Sequence, residues 1–234
     1  MVFSLLAPSS CVRCARPPDR LCARCAAELF APKPTNRGSL LGVRLAQVNR
    51  STLRIIRTMK DGGETALLRV ILGASGLAAL RTLRGAGPAG SILFAPIPSS
   101  RSSWRKRGFN LARELASWLA SNCAEPALVS AALELVYEPL DQRGLGGRER
   151  ARNVDGAMAV DGEQIHGEVA RLSAAATPVT IVICDDVVTT GSTLLEARRA
   201  IEAVFAGATA IPNVTFFAVA ETLTKNGTQV VARV

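Results

Sequence analysis

The segment Val179-Thr-Ile-Val-Ile-Cys-Asp185-Asp186-Val-Val-Thr189-Thr190-Gly191-Ser192-Thr193 constrains the fold more than any other part of the chain. Val179 to Cys184 is a short β-branched run of the kind that forms a strand buried on both faces. Behind it, Leu194, Ala197, Ile201, Val204 and Phe205 recur on one side of a helix, and a second apolar strand, Val214 to Ala220, follows. Strand, helix and strand in this order belong to an α/β body with a largely parallel sheet and helices on both faces. Ligands of such sheets sit beyond the carboxyl ends of the strands, where Asp185 and Asp186 fall. Thr189, Thr190, Gly191, Ser192 and Thr193 bring backbone N–H groups and hydroxyls to a helix N-terminus, a site for a phosphate dianion, and Gly191 lets the backbone approach closely. The adjacent carboxylates suit sugar hydroxyls, or Mg²⁺ held through water. The plainer alternative is a capping box, Thr193-Leu-Leu-Glu196, beside ordinary surface acids.

The chain upstream follows the same alternation. Ser91 to Ala95 is an apolar run ending in Pro96-Ile-Pro98, and Leu111, Leu115, Trp118 and Leu119 then recur at helical spacing. Earlier still, Ser51 is positioned to cap a helix with Leu53, Ile56 and Met59 on one face, ending near Asp61-Gly62-Gly63. A second helix is expected from Glu64 to about Arg84, broken by the glycine-rich stretch from Gly85 to Gly90. With 234 residues, 48% of them apolar, the chain can bury one large core and a small accessory module.

That module is N-terminal. Cys11-Val-Arg-Cys14 and Cys22-Ala-Arg-Cys25 are two C-x-x-C knuckles in a segment with little apolar periodicity, and four thiolates at this spacing suit a structural, tetrahedral Zn²⁺. The competing redox reading is weaker, because a thioredoxin-like C-x-x-C occurs singly and near a βαβ pattern. Pro32, Pro34 and Gly38 read as a linker, dividing the chain into residues 1–38 and 39–234. No basic region precedes Phe3-Ser-Leu-Leu-Ala7, so the thiols are expected to meet a reducing cytoplasm. The longest stretch without a charged residue, Ala203 to Ala220, is interrupted by Gly207, Pro212 and Asn213, so no membrane insertion is expected.

The formal net charge of +9 hides two unlike halves. Residues 1–113 hold 19 Lys+Arg against 4 Asp+Glu, and residues 114–234 hold 9 against 15. The basic half suits polyanions such as nucleic acid or phosphorylated metabolites; a solvated surface is the bland alternative.

The stretch from Val179 to Thr193 resembles the phosphoribosyl-diphosphate (PRPP) loop of type I phosphoribosyltransferases: apolar residues, two acids, two variable residues, then Thr-Thr-Gly-x-Thr. The resemblance implies that Asp185 and Asp186 meet the ribose 2′- and 3′-hydroxyls and that Thr189 to Thr193 cradle the 5′-phosphate. Three further features are similar to the ComF subfamily across nearly the whole chain. They are Pro96-Ile-Pro98 with Arg101 and Arg105-Lys-Arg107-Gly-Phe-Asn110; Gln142-x-x-Leu145 with Arg148, Arg150 and Asn153; and the four-cysteine module. Lys60-Asp61-Gly62 looks like a Lys-x-Gly element of that subfamily, whereas Leu111 departs from the polar residue commonly found there. ComF proteins are competence-associated and implicated in uptake of transforming DNA in some bacteria.

The resemblance makes Arg101 to Arg107 the pyrophosphate loop, with Arg105 and Arg107 toward the diphosphate. Two other readings of the same residues stand beside it: Trp104 and Phe109 flanking Arg105-Lys106-Arg107 could stack and neutralise single-stranded nucleic acid, or the aromatics could be core and the cations solvated. Glycine-rich Gln142 to Asn153 is the implied lid, with Arg148 and Arg150 reaching the diphosphate; a surface linker is the alternative. His166, in a polar stretch, is expected at the surface, and Cys184 inside a strand as a small buried residue. Two functions follow: a phosphoribosyltransferase using PRPP and Mg²⁺ on an unidentified nitrogen acceptor, or a single-stranded-DNA-binding accessory factor of the competence machinery without turnover.

Overall fold

The computed structural model describes residues 10–17, 20–85, 90–138, 153–173, 177–208 and 212–222. In chain order the elements are α1 (Ala23–Leu29), β1 (Lys33–Arg37), β2 (Leu40–Gln47), α2 (Arg50–Asp61), α3 (Ala66–Gly85), β3 (Ser91–Pro96), α4 (Arg101–Arg107), α5 (Leu111–Asn122), β4 (Ala127–Val129), β5 (Leu133–Leu135), β6 (Met158–Val160), α6 (Gly162–Ser173), β7 (Val179–Val188), α7 (Ser192–Val204) and β8 (Asn213–Glu221). Six strands form one sheet in the order β1-β2-β8-β7-β3-β4, in which β1–β2 alone is antiparallel. Strands β5 and β6 make a separate antiparallel pair.

The strand alternation sorts the core into two layers. Phe94, Val182, Cys184, Phe217 and Val219 pack with residues of α1, α2, α3 and α5, while Leu93, Ile181, Ile183, Phe216 and Ala218 pack with α6 and α7. The continuous apolar run of β3 is buried throughout, as a strand covered on both faces requires. Chain order then creates the site. From β3 the chain passes through α5, in the first layer, to β4; from β7 it passes through α7, in the second, to β8 on the opposite side. The direction of travel reverses between β3 and β7, and a crevice opens beyond their carboxyl ends. Those ends are in register, with Pro96 opposite Cys184 and the Ile97 N–H donating to the Cys184 carbonyl at 2.9 Å.

Three sequence expectations are corrected locally. The stretch read as a linker is β1, whose Pro34 is tolerated because β1 is the edge strand, and the expected 38/39 boundary falls in its hairpin turn at Gly38. The cap of α2 is Asn49, not Ser51: its Oδ1 accepts from Ser51 N at 2.9 Å and Thr52 N at 3.0 Å, and Thr52 Oγ1 accepts from Asn49 N at 2.8 Å. Arg101 to Arg107, read as a loop, is a helix capped by Ser100 and ended by left-handed Gly108. Among the described residues α3 is the one helix long and apolar enough to cross a membrane, but half of its apolar window is buried. Leu67, Leu68, Ile71, Leu72, Ala79, Leu80 and Leu83 of this helix enter the first core layer. Gly76, on its buried face, leaves room for the Trp118 ring, which a β-carbon would strike.

Candidate functional site

The acid pair closes β7. Asp186 continues the register of Val182 and Cys184 toward the layer that contains α2, and Lys60 in the last turn of α2 reaches it, with Nζ 2.6 Å from Asp186 Oδ2. Both side chains are largely buried. Asp185 accepts from the Asp186 N–H at 2.8 Å. Desolvation, then the Asp186 charge, pushes the Asp185 carboxyl up to about 7 against the opposing pull of Lys60. Among the described residues Lys60 is the one cation paired with these two adjacent carboxylates, which suit a further positive charge or hydrogen-bond donors. Cys184 just before them is fully buried, and burial pushes its thiol far up, as a packing residue requires.

The chain leaves β7 through Thr189 and Thr190 and enters α7 at Gly191, whose φ of 84° is left-handed. The glycine is needed twice. A side chain would be strained at that φ, and its β-carbon would lie 3.0 Å from Arg37 Cδ. Thr190 Oγ1 and Ser192 Oγ are 2.9 Å apart, and Ser192 N donates to Thr190 Oγ1 at 3.3 Å. Gly191 offers α7 no side-chain cap, and no acid lies in its first turn. The capping-box alternative fails, because Glu196 turns away: it accepts from Met158 N at 3.1 Å and from Arg199 Nε at 2.7 Å. What remains is a helix N-terminus with an uncapped positive dipole beside small hydroxyls, its N-cap Gly191 six residues beyond Asp185.

A buried ionic cluster braces this turn from below. Glu221, 1% exposed at the end of β8, lies 3.0 Å from Arg37 Nε and 3.2 Å from Arg44 Nε, and its Oε2 accepts from Thr35 Oγ1 at 2.6 Å. Arg37 also donates to the Thr222 carbonyl. Sequence reasoning missed Arg37, Arg44 and Glu221, which meet only because β1, β2 and β8 are neighbours. It singled out Lys60 without giving it a role.

The cationic residues after β3 divide. On α4, Arg105 and Arg107 are two positions apart and so face different directions at 100° per residue. Arg107 turns to α2, 3.9 Å from Asp61 Oδ1, with its buried Nε unpartnered among the described residues. Arg105 lines a cleft of about 520 Å³ beyond β3 and β4, with Arg101, Trp104, Asn110, Arg113 and Ser130. Trp104 is 51% exposed there, whereas Phe109 packs against the core. Of the expected lid, Asn153 is half-buried, and Arg148 and Arg150 lie outside the described residues. His166 is exposed, its ring edge-on to Phe205 at 4.9 Å.

Cys11, Cys14, Cys22 and Cys25 converge, with all four sulfurs within 4.8 Å of one another and Cys14 Sγ 3.9 Å from Cys22 Sγ. Zn–S bonds of about 2.3 Å make a tetrahedral edge of about 3.8 Å, so this set fits zinc after slight contraction. Burial works to raise the Cys11 thiol, but backbone N–H groups of Cys14, Cys22 and Arg13 outweigh it and bring it down to about 6. Burial, followed by hydrogen bonds to the other thiols, pushes Cys25 up to about 12. Four crowded sulfurs become thiolates together only around a cation, so the group can bind a metal such as zinc. The knuckles are not isolated: Cys11, Leu21, Cys25, Ala26 and Phe30 share the core layer of α2 and α3, and Arg20 pairs with Glu64.

No protein-family model matches this chain, and no curated protein matches it.

Proposed function

We propose that the chain is a PRPP-binding phosphoribosyltransferase of the ComF type, built on a type I phosphoribosyltransferase fold with a zinc module at its N-terminus. The observation that carries this reading is the coincidence, beyond the β3/β7 reversal, of an acid pair with a glycine-led helix N-terminus free of acids. A sugar phosphate uses both, its phosphate at the helix N-terminus and its hydroxyls at the acids. The α7 N–H groups with Thr189, Thr190, Ser192 and Thr193 would hold the 5′-phosphate, and Asp185 and Asp186 the ribose hydroxyls. Mg²⁺ bound with the diphosphate, held through water by the acids, would supply charge neutralisation.

In the reaction a nitrogen nucleophile forms a bond to C1′ as the C1′–O bond to diphosphate breaks. The nucleophile's proton is released, and diphosphate leaves with the bonding electron pair. The protein's share is to orient the sugar and neutralise the leaving group, with Arg105 and Arg107 as the expected diphosphate cations. The test is calorimetric titration of PRPP with Mg²⁺ into the wild type and the Asp185→Asn/Asp186→Asn double mutant. Binding by the wild type that is lost in the mutant supports the reading, and no binding by the wild type ends it.

A second reading, capture of single-stranded DNA for competence without turnover, draws support from exposed Trp104 beside Arg101, Arg105 and Arg113 in one cleft. Such binding falls steeply with salt, whereas PRPP binding depends on the acids and on Mg²⁺. Reversing the charges of Arg105 and Arg107 should abolish DNA retention; retention left intact removes this reading.

A further inference from the structure

Helix α2 ends over the crevice, and its last two residues reach opposite sides of it. Lys60 Nζ is 2.6 Å from Asp186 Oδ2 at the end of β7, and Asp61 Oδ1 is 3.9 Å from Arg107 on α4, the helix that follows β3. The helix is pinned at its other end by the reciprocal cap of Asn49 and Thr52, and it is anchored along its length by Ile55, Ile56 and Met59. Its C-terminal carbonyls favour a cation in the last turn. Lys60 is therefore delivered to the crevice by a fixed element, on a four-carbon stem that is about one-quarter exposed.

In the absence of ligand this ammonium neutralises one member of the acid pair. We infer that Lys60 is a diphosphate-binding residue that exchanges partners: when a sugar diphosphate enters, Lys60 passes from Asp186 to the diphosphate oxygens and frees Asp186 for the sugar hydroxyls. This rests on the phosphoribosyl reading of the site. The exchange trades one charge-assisted hydrogen bond for another, so no buried charge is left bare at any stage. It also sets selectivity. A sugar monophosphate supplies nothing for Lys60 to take, and must compete with it for Asp186. Arg107, with its buried Nε unpartnered among the described residues, stands on the other side of the α2 terminus as a second donor.

The test compares two probes, PRPP with Mg²⁺ and ribose 5-phosphate, titrated calorimetrically into the wild type, Lys60→Met and Lys60→Arg, with circular dichroism as the check on folding. Lys60→Met should weaken PRPP by about tenfold or more while ribose 5-phosphate binds as well as before or better, and Lys60→Arg should restore most of the PRPP affinity. Equal losses for both probes would reduce Lys60 to a tether for Asp186 and overturn the exchange. Unchanged PRPP binding by a folded Lys60→Met would also overturn it, with the phosphoribosyl reading intact. A wild type that binds neither probe removes that reading and the exchange together.

Discussion

At Gly191 the left-handed φ of 84° and the approach of Arg37 to 3.0 Å from a would-be β-carbon make a single methyl group costly. Gly191→Ala should lose about 1–2 kcal/mol of stability from the backbone alone, read as a lower denaturant midpoint, and should weaken binding of inorganic phosphate. Asp185 gives a pH signature. Its native carboxyl is pushed up to about 7 from 3.8, so above pH 3.8 the unfolded chain has released a proton that the native one still holds. Native stability therefore falls as pH rises from about 4 to 7 and is level beyond. Asp185→Asn removes that loss: the variant should melt several degrees above the wild type at pH 8 and together with it below pH 4, while losing PRPP binding. The acids, the threonines and Gly191 were legible because one contiguous segment carries them. Lys60, Arg37 and Glu221 were not, because each acquires its meaning from a partner more than 100 residues away.

Helices and strands were legible wherever burial repeats with a clean period, as in β3, α5 and β7, and obscure where a short element depends on its neighbours. Strand β1 carries Pro34 and no alternation strong enough to announce a strand; it exists because β2 offers it an antiparallel edge. Helix α4 buries none of its residues, so no apolar period could reveal it. Its existence rests on Ser100 and Gly108 at its ends, and it separates the two arginines expected to act together. Helix α2 was read correctly but capped two residues too late. Asn49→Ala should cost about 1 kcal/mol, with an unchanged m-value in urea. Because α2 delivers Lys60, the same substitution should weaken PRPP by a few-fold without touching the crevice directly.

The mostly parallel architecture, with helices on both faces, followed from strand–helix alternation. The attachment of the four-cysteine module did not, because sequence periodicity says nothing about which surfaces of two elements meet. The knuckles bury Cys11, Leu21 and Cys25 in the same layer as α2 and α3, so a metal held by the four cysteines would support the shared core as well as its own loop. Cys11→Ser/Cys22→Ser should lose one bound zinc per chain by elemental analysis. It should also lower a single cooperative melting transition for the whole chain, and a separate early transition confined to the N-terminus would contradict the shared core.

Strand β2, near the start of the chain, is hydrogen-bonded on one side to β1 and on the other to β8, the last strand described. During synthesis the hairpin of β1 and β2 leaves the ribosome with an open edge and waits for residues 213–221 before the sheet can close. The growing chain must keep that edge from other strands until those residues are made, and a metal seized early by the cysteines would tie down the segment just before the waiting hairpin.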